Sequence, residues 1–146
     1  MLQSLRSDCP LNFALETLGD KWSLLIVRDM VFSGKLTYKE MLESNEKIAT
    51  NILAQRLKML EHAGIIEKQF DAERKSKTKQ TYILTERGID LIPTMVEMML
   101  WSDTHSELKN SPDIITDARK NKEQAIAHLQ NTVRARIAEV KSSATA

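Results

Sequence analysis

Polar side chains that can pair with the edges of DNA bases follow one another along a segment predicted to be helical, residues 50–62. Thr50, Asn51 and Gln55 fall on the outer side of this helix, and Arg56 follows directly. Amide side chains form bidentate hydrogen bonds with adenine in the major groove, and arginine does so with guanine. We therefore predict base contacts for these four side chains. Two alternatives stay open: simple helix solubility for Asn51 and Gln55, and a structural ion pair with an acid of a neighbouring helix for Arg56.

A basic loop at residues 71–80 (DAERKSKTKQ) carries four cations against two anions. The cations are Arg74, Lys75, Lys77 and Lys79. Contacts of such side chains with phosphates supply affinity and salt dependence, whereas base contacts supply sequence choice. We predict that these cations meet the DNA backbone or the minor groove. Thr37 and Lys39, at the start of an earlier helix, are also predicted to touch the backbone. The alternative is a solvated hairpin tip.

The elements that must position these residues follow the pattern of a winged helix-turn-helix, a mainly α-helical fold with a small β-hairpin. Apolar residues at helical spacing, a capping box formed by Thr37 and Glu40, and the helix-ending Gly64 mark the helices. Strand-favouring residues flank the basic loop, which makes the hairpin the wing. The predicted helices are 10–18, 21–32, 38–43, 50–62, 86–106 and 113–140, and the predicted strands are 65–70 and 80–84.

Apolar residues cover more than half the circumference of the helix predicted at 86–106, and one small core cannot bury them all. We therefore predict a homodimer with N- and C-terminal dimerisation helices. The predicted interface residues are Met95, Met98, Met99 and Trp101. Methionine-rich surfaces adapt to varied shapes, so an apolar effector could bind among them. The near-heptad spacing at 113–140 predicts packing on another helix, within the chain or across the dimer.

The domain division predicted from these patterns has two parts. Residues 1–106 form the DNA-binding domain, including the dimerisation helix, and residues 107–146 form a C-terminal helix with a disordered tail from Lys141. The chain of 146 residues suits one globular domain with appended helices. It has no apolar run of the roughly 20 residues that a membrane span needs, and its N-terminus lacks a signal-peptide pattern. A cytoplasmic location is the default expectation.

Several classes of function find no support in the residues. The single cysteine, Cys9, can form neither an intrachain disulfide nor a cysteine-based zinc cluster, and the three histidines are scattered. The chain has no nucleophile-elbow motif and no phosphate-cradling glycine loop. We therefore expect neither catalysis nor a metal or cofactor. The formal net charge of only +1 does not by itself indicate a nucleic-acid partner; the clustering of charge in the basic loop does.

Short motifs follow one another in a specific order between residues 9 and 101. They are Cys9-Pro10, GDKWSLLIV at 19–27, LAQRLKML at 53–60, AGII at 63–66, YILTERG at 82–88 followed by Leu91 and Pro93, and finally Trp101. Together they resemble the HxlR family of bacterial transcription regulators, relatives of the MarR group. The resemblance implies a homodimeric winged helix that binds a pseudo-palindromic operator on double-stranded DNA, as a repressor or an activator. The segment beyond Pro112 lies outside the resemblance.

The chain departs from the family pattern at two places. KIA at 47–49 stands where the family usually has Gly-Ile-Ser or similar, and Ala49 is a poor N-cap. TY at 37–38 stands where the family often has Arg-Phe, so one backbone-facing cation is missing. Lys35 or Lys39 would have to replace it.

Cys9 lies where the family often keeps a cysteine, and some members use that cysteine to sense oxidants or electrophiles. The resemblance therefore makes Cys9 a candidate redox sensor, with a thiolate at a helix N-terminus as the chemical route. Oxidation, or a bond between the Cys9 residues of two protomers, would change the geometry of the dimer. The alternative is an unreactive cysteine at the start of a helix.

A second function remains open beside DNA binding. A winged helix can pack its polar helix on another protein, and the near-neutral net charge permits that. This alternative is a protein-protein interaction module without sequence-specific DNA binding.

Overall fold

Eight α-helices and two β-strands make up the part of the chain that the computed structural model describes, residues 5–69 and 80–145. The helices are α1 (Pro10–Leu18), α2 (Ser23–Phe32), α3 (Tyr38–Leu42), α4 (Thr50–His62), α5 (Glu86–Ile89), α6 (Ile92–His105), α7 (Asp113–Lys120) and α8 (Lys122–Thr145). The strands are β1 (Ile66–Gln69) and β2 (Thr81–Leu84). The prediction of a mainly helical winged helix-turn-helix with a small hairpin is confirmed.

Helices α3 and α4 form the helix-turn-helix, and local signals in the sequence determine where they begin and end. At the start of α3, Thr37 Oγ1 accepts a hydrogen bond from the Glu40 N–H, while the Glu40 carboxylate accepts one from the Thr37 N–H. α4 ends in a Schellman motif, in which the Gly64 N–H donates to the Glu61 carbonyl and the next N–H donates to the Leu60 carbonyl. Gly64 has a φ of 75°, a left-handed conformation that a Cβ disfavours.

The wing begins directly after α4. β1 and β2 pair antiparallel, with Ile66 opposite Leu84. The Tyr82 N–H donates to the Leu36 carbonyl at 2.7 Å, so the chain just before α3 lies along the other edge of β2. The base of the wing is therefore hydrogen-bonded to the start of the helix-turn-helix.

The helix predicted at 86–106 is two helices, which corrects that prediction. α5 ends at Ile89 and α6 begins at Ile92, with Pro93 in the first turn of α6. Proline has no N–H to donate, and its ring clashes with the carbonyl four residues earlier, so one continuous helix cannot pass through Pro93 without cost. Thr85 caps α5, since its Oγ1 accepts from the Gly88 N–H.

The helix predicted at 113–140 is also two helices. The chain breaks at Asn121, whose φ of −154° is extended and whose Oδ1 accepts from the Gln124 N–H at the start of α8. Asparagine competes in this way for backbone donors and is a preferred N-cap. α8 then runs to Thr145, so the tail predicted to be disordered from Lys141 is helical. Residues 141–145 contain no glycine or proline that would end a helix.

The C-terminal helix packs back on the chain's own core. Val133 of α8 is only 2% exposed and belongs to the same cluster of buried residues as Val27 and Leu53. Arg136 Nη1 donates to the carbonyls of Met30 and Val31, in the last turn of α2, where carbonyls lack helical partners. The near-heptad apolar stripe thus packs within the chain.

Replacing Val133 by alanine is expected to lower the free energy of unfolding by about 2–3 kcal/mol, because it removes buried methyl groups and leaves a cavity. Urea unfolding of the full chain measures the change. Thr132→Ala is the matched control, since Thr132 is the exposed neighbour on the same helix and its loss should stay within about 0.5 kcal/mol. Equal losses for both variants would contradict the docking of α8.

Candidate nucleic-acid interface

One face of α4 presents polar side chains to solvent. Asn51, Gln55 and Lys58, spaced four and three residues apart, are exposed on this face, and Thr50 is exposed beside them. Within the described part of the chain, the side chains of Asn51 and Gln55 make no hydrogen bond. The opposite side of α4 is anchored in the core by an apolar stripe: Leu53, Leu57 and Leu60. A rigid helix therefore carries a row of free donors and acceptors, which is what contact with base edges needs.

Lys58 was not among the predicted contact residues, although the same helical spacing that indicates Asn51 and Gln55 includes it. Its exposed ammonium adds positive charge to the polar face. The first turn of α4 is also open. Ala49 is the N-cap and has no side chain that can accept from the backbone N–H groups of that turn. Such N–H groups, together with the helix dipole, favour an anion such as a phosphate.

Arg56 does not lie on this face, and its predicted base contact stays a prediction. Its side chain is half-buried, with Nε 3.4 Å from Asp20 Oδ2, and Nη1 donates to Met59 Sδ. The ion-pair alternative is the arrangement that the structure shows, with the acid located just before α2. The cause lies in helix geometry, since Arg56 is adjacent to the buried stripe and its long side chain leans toward the α1–α2 junction.

The start of α3 offers less to a phosphate than predicted. Thr37 Oγ1 is engaged in the capping box, and the Glu40 carboxylate accepts from the N–H groups of Leu36 and Thr37 at 2.7 and 3.0 Å. These hydrogen bonds, with the Leu36 N–H first, hold the pKa of Glu40 below its usual value. An acidic side chain already occupies the position that an anion would take. Lys35 pairs with Asp29 at 3.2 Å, whereas Lys39 is exposed with no ion pair among the described residues.

The four wing cations, Arg74, Lys75, Lys77 and Lys79, lie outside the described residues. Their predicted contact with the DNA backbone stays a prediction. The described part of the wing is its base, where β1 follows α4 and β2 leads into α5.

The turn between α3 and α4 is tied to α2 by charge. Arg28 donates to both oxygens of Glu46, at 2.6 and 2.7 Å, and also to the buried Asp29. Lys47, directly after Glu46, has a φ of 55°, which a non-glycine residue rarely adopts. The Arg28 hydrogen bonds lower the pKa of Glu46 to about 2. This bidentate pair fixes the turn that leads into α4.

Acid is expected to remove the contribution of the Arg28–Glu46 pair to the free energy of unfolding. The pKa of Glu46 is depressed from an ordinary 4.5 to about 2, so the pair stabilises the fold above pH 4.5 and stops doing so as the pH falls through about 2. Because Glu46 is largely exposed, the effect should be about 1 kcal/mol. Urea unfolding at several pH values should show Glu46→Gln less stable than wild type at pH 7, with the difference shrinking below pH 4.5. Glu43→Gln, exposed without an ion pair among the described residues, should show no such difference.

Cys9 is exposed and lies at the N-cap of α1, where its carbonyl accepts from the Phe13 N–H at 3.0 Å. No residue of α1 is buried. Three of its large apolar side chains are exposed: Leu11, Phe13 and Leu15. The helix that follows the cysteine therefore has an apolar surface that the described residues leave uncovered.

The predicted dimer residues divide between core and surface. Met95 is only 6% exposed, because it lies one turn after Ile92 on the side of α6 that faces the core, so the single chain already covers it. Met98 and Trp101 are 52% and 69% exposed, and Met99 is half-buried. The Trp101 and His105 rings are 5.3 Å apart. A pocket lined by residues of α2, β2 and α8, including Arg136, lies away from these side chains.

The described residues form neither a metal-binding cluster nor a membrane-spanning helix. No group of three or more histidine, cysteine, aspartate or glutamate side chains is placed to hold a metal ion. No helix in residues 5–69 or 80–145 has the length and apolar character that crossing a membrane requires.

A known family matches the part of the chain that contains the exposed face of α4. The model of the HxlR-like helix-turn-helix family matches residues 17–110, which include α2, the helix-turn-helix, the wing and α6. α7 and α8 lie beyond the matched region. The family match therefore covers the exposed face of α4 and ends before the helices that pack back on the core.

Individual relatives agree with the family match. The HTH-type transcriptional regulator YodB of Bacillus subtilis is 36% identical over 100 residues, which cover 68% of this chain and 87% of YodB. The reduced form of YodB aligns with a TM-score of 0.56, covering 69% and 97% of the two chains at 35% identity. The redox regulator HypR in its reduced form aligns with a TM-score of 0.58 and 27% identity, and the alignment covers 68% of this chain and 95% of HypR. PA1607, a candidate transcription factor, aligns with a TM-score of 0.62 and 34% identity, and the alignment covers 73% of this chain and 72% of PA1607.

Proposed function

The chain belongs to the HxlR-like helix-turn-helix family and is a transcriptional regulator of the helix-turn-helix type, and from this we propose a finer function. The protein binds a pseudo-palindromic operator as a homodimer, reads it with α4, and responds to oxidants or electrophiles through Cys9. The observation that carries the proposal is the row of exposed, unpartnered polar side chains on a helix whose other side is anchored in the core.

The chemistry of α4 supports sequence-specific binding. Asn51 and Gln55 carry both a donor and an acceptor, the pair of groups that adenine presents in the major groove. Lys58 and Lys39 add charge on exposed positions, and the uncapped first turn of α4 can take a phosphate. Arg56 acts as a structural partner of Asp20 in this proposal.

Exposed apolar surface supports the homodimer. Leu11, Phe13 and Leu15 of α1, with Met98 and Trp101 of α6, would stay in water if the chain acted alone. Apolar patches of this kind mark interaction surfaces. A second copy of the chain would cover them and place two α4 helices in successive major grooves, about 34 Å apart. Operator symmetry then mirrors the symmetry of the dimer.

Redox response is proposed from Cys9 and from the forms in which relatives were solved. YodB was solved in reduced, quinone-bound and diamide-treated forms, and HypR in reduced and oxidised forms. Because Cys9 is the chain's single cysteine, a disulfide must join two protomers. Two Cys9 thiols would lose two protons and two electrons to form the S–S bond, and these would reduce the N=N bond of diamide to a hydrazine. A quinone would instead add to one Cys9 thiolate.

Diamide is expected to change the operator affinity of the wild-type protein by about tenfold or more and to leave Cys9→Ser unchanged, because only a thiol can form the bond between protomers. Fluorescence anisotropy measures the affinity. A non-reducing gel should show a covalent dimer for wild type, reversed by dithiothreitol, and none for Cys9→Ser. An identical response of the variant would remove Cys9 as the sensor.

The proposed function is tested by selection from random-sequence duplexes, followed by footprinting of the enriched sites. Two matching half-sites about ten base pairs apart are expected, and the enriched duplex should bind at least 10³ times more tightly than a scrambled one. Enrichment of no sequence, with no preference over the scrambled duplex at low salt, would overturn the proposal and favour the protein-protein interaction module.

A further inference from the structure

We propose that Asp20 and Arg56 together set the rotation of α4 about its own axis, and so decide where Asn51 and Gln55 point. Both are positioning residues in this view, since neither side chain lies on the exposed face of α4. The inference rests on the proposed function, because it concerns how α4 is held against DNA.

Asp20 is itself held firmly. It follows Gly19, which ends α1, and its Oδ2 accepts hydrogen bonds from the N–H groups of Trp22 and Ser23, each at 2.9 Å. Its other oxygen accepts from the Ser23 hydroxyl. With both oxygens engaged by the start of α2, the carboxylate has little freedom to follow a moving partner. It is a fixed negative point at the junction of α1 and α2.

Arg56 reaches this point from α4. Its Nε is shielded from solvent and lies 3.4 Å from Asp20 Oδ2 without hydrogen-bond geometry, so charge holds the pair. The thioether of Met59, which accepts from Nη1, is a weak acceptor. Asp20 is therefore the main partner that the described residues offer the Arg56 guanidinium.

The location of Arg56 along α4 lets the pair affect the direction in which Gln55 points. Arg56 directly follows Gln55, so any rotation of α4 that re-aims Gln55 also moves Arg56 relative to Asp20. Side chains end about 5–6 Å from a helix axis, so a rotation of about 20° shifts their ends by about 2 Å. Such a shift breaks a bidentate hydrogen bond to a base. The apolar stripe of α4 holds the helix against the core, and the Asp20–Arg56 pair adds a charged restraint beside that stripe.

The same pair joins α1 to α4. Cys9 is the N-cap of α1, and α1 ends at Leu18, two residues before Asp20. A displacement of α1 would therefore be passed through Asp20 to Arg56. The pair should accordingly affect the oxidant response as well as the preference for the operator.

The test compares Asp20→Asn, Arg56→Met and the double variant with wild type, all as full chains. Asparagine can still accept from the N–H groups of Trp22 and Ser23, so α2 keeps its cap while the charge is lost. Methionine keeps the length and apolar packing of Arg56 without its charge. Arg134→Met is the matched control, because it breaks the exposed Arg134–Glu86 pair, which involves neither α1 nor α4.

Anisotropy with the selected operator and with a scrambled duplex gives the ratio of dissociation constants for each protein. Each single variant is expected to lower the operator preference about tenfold, and the double variant no further than either single, because both remove the same contact. The diamide-induced change in operator affinity should also shrink in all three variants. Arg134→Met should keep the wild-type ratio. Circular dichroism melting checks that each variant is folded.

Two outcomes distinguish a failure of the proposed function from a failure of the inference about Asp20 and Arg56. A wild-type protein with no operator preference overturns the proposed function, and this inference with it. A wild-type protein with clear preference, together with folded Asp20 and Arg56 variants that keep that preference, overturns the inference alone. Losses that multiply in the double variant would also overturn it, since they would mean that the two side chains act independently.

Discussion

Replacing Asn51 or Gln55 by alanine is expected to lower the preference for the operator over a scrambled duplex by about 30-fold or more for each residue. The variant dimer loses one bidentate base contact in each protomer, and each contact is worth about 1–3 kcal/mol. Because both side chains are exposed and make no hydrogen bond within the described part of the chain, the fold should not change. Anisotropy with the two duplexes measures the ratio, and a repeated selection should show relaxed choice at the contacted positions.

A control on the same helix makes this result specific. His62 is exposed at the far end of α4, beyond the half of the helix that should enter the groove, so His62→Ala should keep the operator preference. The base-contact assignment would be wrong if the Asn51 and Gln55 variants lost affinity equally for every duplex. A uniform loss is instead the behaviour of a phosphate contact.

Neutralising the wing is expected to weaken binding to all duplexes alike. If the dimer makes about 6–10 phosphate contacts, wild-type affinity should fall about 10³- to 10⁵-fold between 50 and 200 mM salt. Lys77→Ala should lower the slope of log affinity against log salt by about 1 for each protomer, which is about 2 for the dimer. Changing all four wing cations, which are Arg74, Lys75, Lys77 and Lys79, to glutamine should lower it by about 3–4 for each protomer.

The matched control for the wing is Lys120→Gln, an exposed cation on α7, which lies outside the family match. It should leave the salt slope unchanged. Wild-type binding that hardly depends on salt would contradict the assignment of the wing, even if the α4 variants behaved as expected. The two predictions therefore test separate halves of the surface, one for sequence choice and one for affinity.

Local chemistry made several elements predictable. The capping box of Thr37 and Glu40 and the end of α4 at Gly64 depend on residues within one or two turns of each other, and the structure has both. The breaks at Pro93 and Asn121 are equally local, yet the apolar periodicity on either side outweighed them in the prediction. A missing N–H and a capping amide interrupt a helix regardless of how regular the apolar pattern is.

Residues whose surroundings depend on distant partners were the ones that the sequence could not place. Arg56 pairs with Asp20, which is 36 positions earlier in the chain and belongs to another element. Met95 looks the same as Met98 in an apolar pattern, but packing puts Met95 in the core and leaves Met98 exposed. Helical spacing assigns side chains to directions around an axis, and it does not say which direction meets another element.

From its residues alone, this chain determines its winged helix-turn-helix, the polar side of α4 with Asn51 and Gln55, and the basic loop between the strands. These follow from contacts between near neighbours, whose energies depend on spacing along the backbone. The tertiary structure decided that Arg56 faces Asp20, that Met95 is buried, and that Arg136 of α8 bonds to the end of α2, about a hundred residues away. Such contacts form only when separate elements pack, because burial and charge pairing depend on position in space.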